Sequence, residues 1–94
     1  MTTNRLMEVT GSFRRNEQGQ IILEARSPRF IARALHPMAR VGTVPVVGIL
    51  VSKGVLTGLL LGTPKAGDEL RIRYVPEPEV RTGVRFNLAP PNVA

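Results

Sequence analysis

Hydrophobic and polar residues alternate along much of the chain with the period of a half-buried strand. Over residues 5–13, Met7, Val9 and Phe13 fall on one side and Glu8, Thr10 and Ser12 on the other. The polar run Arg14-Arg15-Asn16-Glu17-Gln18-Gly19 reads as a turn. Gln20 to Arg26 then resumes the alternation, with Ile21, Leu23 and Ala25 facing one way. Together these stretches predict a β-hairpin. Ser27-Pro28 carries a helix-start signal, a serine N-cap before a proline at the first helical position. Phe30, Ile31, Ala34 and Leu35 follow at helical spacing, and Pro37 limits the predicted helix to about two turns.

Residues 44–62 break the alternation. Eleven of these nineteen residues are large and apolar, four are glycine, and Lys53 carries the only charge. They predict a second hairpin turning at Lys53-Gly54. An unbroken register places Val46, Leu50, Val55, Leu59 and Leu61 on one face, and Val47, Ile49, Val51, Leu56 and Leu60 on the other. Beyond the loop Thr63–Asp68, Leu70, Ile72 and Tyr74 alternate with Arg71 and Arg73, and Val84 and Phe86 flank Arg85. These predict two further strands. The expected fold is a β-rich α+β domain over residues 1–88, a small antiparallel barrel or sandwich of about five to six strands with one short helix. Residues 89–94, with Pro90-Pro91 and no charge, read as an extended C-terminal arm.

A ribbon apolar on both faces needs cover on both faces, and 94 residues supply little material for two layers. The expectation is self-association, with Val46, Val47, Ile49, Leu50, Val51, Leu56, Leu59 and Leu60 as candidate interface residues. The competing reading places the ribbon inside a closed barrel. A membrane-spanning helix has nearly the right length, and Gly54, Gly58 and Gly62 have the spacing of helix-packing glycines. Lys53 near the midplane and so high a glycine content weigh against it.

Charge adds a second candidate. Thirteen Lys+Arg against seven Asp+Glu give a net charge of +6. No acidic residue falls between Glu24 and Asp68. Arg26, Arg29, Arg33, His36 and Arg40 in this stretch form a candidate surface for nucleic-acid phosphates or an acidic partner. The plainer reading is a solvated helix face. Gly19-Gln20-Ile21-Ile22-Leu23, the predicted helix ending Ala34-Leu35, and Gly67-Asp68-Glu69-Leu70 loosely resemble the swapped-hairpin regulators of the AbrB type. The resemblance implies DNA binding through basic residues on a dimeric β-barrel. It departs from that pattern in two places: about thirty residues separate the helix from Gly67-Asp68, and the proline expected after the second strand is displaced to Pro28.

The chemical inventory is thin. With no Cys and one His, cysteine-ligated zinc and thiolate chemistry are excluded. A triad of Ser27, His36 and Asp68 is conceivable, but no nucleophile elbow surrounds Ser27. No phosphate-cradling glycine-rich motif is present. The expected function is therefore that of a non-catalytic, self-associating interaction or assembly protein with no cofactor and no metal. Such a chain suits a small structural subunit of a larger viral or plasmid-borne particle. The alternative is a basic nucleic-acid-binding regulator. No apolar leader resembling a secretion signal opens the chain, so an intracellular or virion location is expected.

Overall fold

The structure, a computed structural model, describes residues 8–28, 37–74 and 78–88. Seven antiparallel strands form one sheet: β1 (Thr10–Arg15), β2 (Ile21–Arg26), β3 (Pro37–Val41), β4 (Val44–Ser52), β5 (Val55–Leu60), β6 (Glu69–Tyr74) and β7 (Val80–Arg85). Their spatial order is β1-β2-β5-β4-β3-β6-β7, and the sheet curls into a nearly closed barrel. No helix occurs among the described residues. The helix expected after Ser27-Pro28 lies mostly in residues 29–36, outside the described residues.

Local chemistry accounts for the turns. Asn16 Oδ1 accepts hydrogen bonds from the backbone N–H of Gln18 (3.0 Å) and Gln20 (2.9 Å), and Gly19 takes φ 79°. This closes the β1–β2 hairpin as the sequence predicts. Lys53 and Gly54 occupy the β4–β5 turn with φ of 49° and 79°. Two positive φ angles suit the right-handed twist of the flanking strands. Gly42-Thr43 joins β3 to β4 with Gly42 at φ 60°, a second two-residue hairpin turn.

One more strand is present than the sequence pattern predicts. Residues 37–41 form β3, pairing with β4 on one side and β6 on the other. Pro37, read in the sequence as a helix terminator, is the first residue of this strand. That is a position where a missing N–H costs little.

The core occupies the barrel interior. Leu23, Leu56, Leu70, Ile72 and Val41 are fully buried, joined by Phe13, Ile21, Ala25, Ala39, Val46, Leu60 and Phe86. At the ends of the sheet, β1 and β7 touch without pairing. The Phe13 and Phe86 rings meet edge to face there, with centroids 5.1 Å apart. Gly11 gives the room for this approach, since a Cβ on it would lie 2.9 Å from Val84 Cγ1.

Candidate functional site

The β4–β5 hairpin turns at Lys53-Gly54 as expected, but its register is broken. Val46 pairs with Leu60 and Val47 with Leu59, whereas Leu50 pairs with Thr57 and Val51 with Leu56. The irregularity falls at Gly48-Ile49, where Gly48 takes φ 61°. An extra residue in one strand reverses the inward–outward alternation beyond it. The face assignment from an unbroken register is therefore corrected: Val46 lies with Leu56 and Leu60 in the core, not with Leu50 and Leu59. Gly58 on β5 makes room for it, because a Cβ there would collide with Val46 Cγ1.

The eight candidate interface residues consequently divide. Val46, Leu56 and Leu60 are buried within the single chain, and Ile49 and Val51 pack partly buried against the core. Val47, Leu50 and Leu59 point outward. Ile22 on β2 pairs with Leu59, which pairs with Val47, so an apolar row crosses three neighbouring strands on the outer surface. Leu50 is 72% exposed, and Leu61, just past β5, is 61% exposed. The segment weighed as a membrane helix is thus a pair of strands, and no helix among the described residues is long and apolar enough to cross a membrane.

The outer surface of β3, β6 and β7 has the opposite character. Cross-strand pairing places Arg40 beside Arg71 and Arg71 beside Arg81, with Arg73 further along β6 and Arg85 opposite Glu69. Beneath these arginines lies Glu69, its side chain only 6% exposed. Its carboxylate accepts hydrogen bonds from Arg81 Nε (3.0 Å to Oε1) and from the Gly83 backbone N–H (2.9 Å to Oε2), and ion-pairs with Arg71 Nε at 3.5 Å.

The Gly83 contact follows from a second register shift, in β7, where Glu69 and Arg71 oppose Arg85 and Arg81. Gly83 takes φ 75°, freeing its N–H for the carboxylate, while buried Thr82 donates its hydroxyl to the Leu70 carbonyl (2.6 Å). Burial disfavours the charged form of Glu69. The Arg81 and Gly83 hydrogen bonds and the charges of Arg81 and Arg85 outweigh it, holding the carboxyl below its ordinary pKa. Glu79 is also held low, first by its hydrogen bonds from Arg40 (2.8 and 2.7 Å), and Arg40 is correspondingly raised.

Arg40, Gly42, Gly67, Asp68, Glu69, Arg71, Arg81 and Arg85 line an open cleft of about 350 Å³ on this flank. Of the basic residues singled out in the sequence, Arg40 borders this cleft, bound to Glu79, and Arg26 lies exposed on β2, paired with Glu24 at 3.0 Å. Arg29, Arg33 and His36 fall outside the described residues. Of the conceivable triad, Ser27 is buried, with its N–H donating to the Gly54 carbonyl, Asp68 Oδ2 accepts from the Lys65 N–H, and His36 falls outside the described residues.

Sequence reasoning missed Arg71, Arg73, Arg81 and Arg85 as a cluster because acidic neighbours cancel them along the chain. The signal available was the alternation of Arg71 and Arg73 with Leu70, Ile72 and Tyr74, and of Arg85 with Val84 and Phe86, which sets arginines on one face of each strand. Among the described residues, no group of three or more His, Cys, Asp or Glu is placed to hold a metal ion. Compared with protein-family models, curated proteins and solved structures, the chain matches none.

Proposed function

We propose that this chain is a non-catalytic interaction module that associates with a second copy of itself through the outer face of the β4–β5 hairpin. The observation that carries this reading is the outward apolar row Ile22–Leu59–Val47, bordered by Leu50 at 72% and Leu61 at 61% exposure. The outer wall of a water-soluble barrel is ordinarily polar, and contiguous apolar surface there marks an interface. A second copy suits this surface because a neutral apolar face meets its own image without charge repulsion. The arginine flank would repel a copy of itself.

Size-exclusion chromatography with in-line light scattering tests the reading. A dimer or larger species is expected for the natural chain. The Leu50→Asp variant changes an exposed position, so it should dissociate the species while leaving circular dichroism and thermal unfolding of the monomer unchanged. A natural chain that is monomeric at high protein concentration would overturn the proposal.

A further inference from the structure

We propose that the cleft edged by Arg71, Arg81 and Arg85 is a phosphate-binding site that seats the sugar–phosphate backbone of a nucleic-acid duplex. The arrangement of donors carries the inference. Glu69 takes the inner Nε of Arg81 and faces that of Arg71, so the outer nitrogens of these forks extend beyond the carboxylate. Arg85 commits one nitrogen, donating to the Gly67 carbonyl at 2.9 Å. Among the described residues, Arg71 adds a 3.8 Å approach to Glu79. Each guanidinium carries five N–H donors in a planar fork matched to phosphate oxygens, so all three retain donors for a ligand. Glu69 is a positioning residue in this site. It fixes two forks from below, and its negative charge is offset by those same two arginines.

The form of the surface selects the source of the phosphate. The cleft is open and not enclosed, Arg40 lines it on β3, and Arg73 extends the arginine row past it along β6. Among the described residues, Arg40, Arg71, Arg81 and Arg85 on three adjacent strands face three carboxylates, Asp68, Glu69 and Glu79, leaving the flank net positive. A continuous backbone of phosphates fits such a stripe better than a single small anion. A duplex fits better than a single strand, because stacking on unpaired bases needs exposed aromatic rings. Among the described residues, Phe13 and Phe86 are buried, and Tyr74 is partly buried against the core. Contacts confined to phosphates fix position without reading bases, so binding should be independent of sequence.

The site lies on the flank opposite the apolar row and does not rest on self-association. Fluorescence anisotropy with a labelled mixed-sequence DNA duplex tests it. Binding is expected with a dissociation constant on the order of 10⁻⁴ to 10⁻⁶ M, weakening with added salt as about two to three phosphate contacts require. The Arg85→Gln variant removes one cationic fork without setting a second carboxylate opposite Glu69, and should weaken binding severalfold with an unchanged fold. Arg26→Glu, outside the cleft, should bind like the natural chain. No duplex binding at low salt would overturn the proposal, as would equal losses in the two variants. Saturable binding of inorganic phosphate without duplex binding, or polyglutamate competing as well as unlabelled duplex, would also overturn it.

Discussion

The two flanks of the barrel share a backbone plan and differ in what their outward positions carry. On β2, β5 and β4 the outer row is Ile22, Leu59 and Val47; on β3, β6 and β7 it is Arg40, Arg71 and Arg81. Both flanks contribute to one interior, Leu23 and Leu56 from the first and Ile72 and Leu70 from the second. The inner positions are thus alike and serve the fold. The outer positions differ, and on the proposed readings their contrast separates a self-association face from a phosphate-binding one. Each flank also contains a register irregularity with a positive-φ glycine, Gly48 in β4 and Gly83 in β7. The two serve different ends. Gly48 turns an apolar side chain into the core, and Gly83 turns a backbone N–H toward a carboxylate.

The sharpest test of that division compares inner and outer leucines of the same hairpin. Leu56→Ala removes a fully buried side chain and should cost about 2–5 kcal/mol in urea unfolding. Leu50→Ala, at an exposed position, should stay within about 0.5 kcal/mol when the monomer is measured. Comparable losses would mean that the apolar outer row belongs to the fold after all.

A second, smaller effect belongs to the arginine flank. Arg81→Met leaves the Glu69 carboxylate without its best side-chain donor, an expected loss of about 1–3 kcal/mol. Because folding lowers the pKa of Glu69, its contribution is fully present above the unfolded value of 4.5 and fades as pH falls through the lower folded value. Acid titration of stability should therefore fall more steeply below pH 4.5 in the natural chain than in Glu69→Gln.

The smallest effect is at Gly48. Alanine there has free space around its Cβ, yet must adopt φ 61°, so Gly48→Ala should cost about 1 kcal/mol in thermal unfolding. A neutral result would show the bulge to be adjustable and the inward placement of Val46 to be optional.

Much of this fold was legible from alternation and turn chemistry. The β1–β2 hairpin, the Lys53-Gly54 turn and the strands around Ile72 and Arg85 follow directly from spacing. What escaped depended on residues with two local meanings. Pro37 ends a helix or begins a strand with equal propriety, and Gly42-Thr43 reads as a turn only once Ala39 and Val41 are taken as an inward-facing pair. Gly48 gives no sign in sequence that it will reverse a register. The site residues were less legible. A net-charge scan directs attention to residues 26–65, whereas β6 and β7 gather arginines whose charge is masked along the chain by Glu69 and Glu79. Glu69 itself follows directly on the loop Thr63–Asp68, and only the opposing Arg81 and Gly83 account for its burial.

The ends of the sheet carry a mechanical consequence. Where Gly11 nears Val84 and Phe13 meets Phe86, the wall is fastened by side chains alone, while every other boundary between strands is a backbone ladder. The cylinder therefore has a zip, and thermal breathing should part it along that line. Amide protons directed into the gap from β1 and β7 would be the first to trade with solvent, well ahead of those between β4 and β5. Once ajar, the gap offers two unsatisfied backbone rims to any extended peptide within reach.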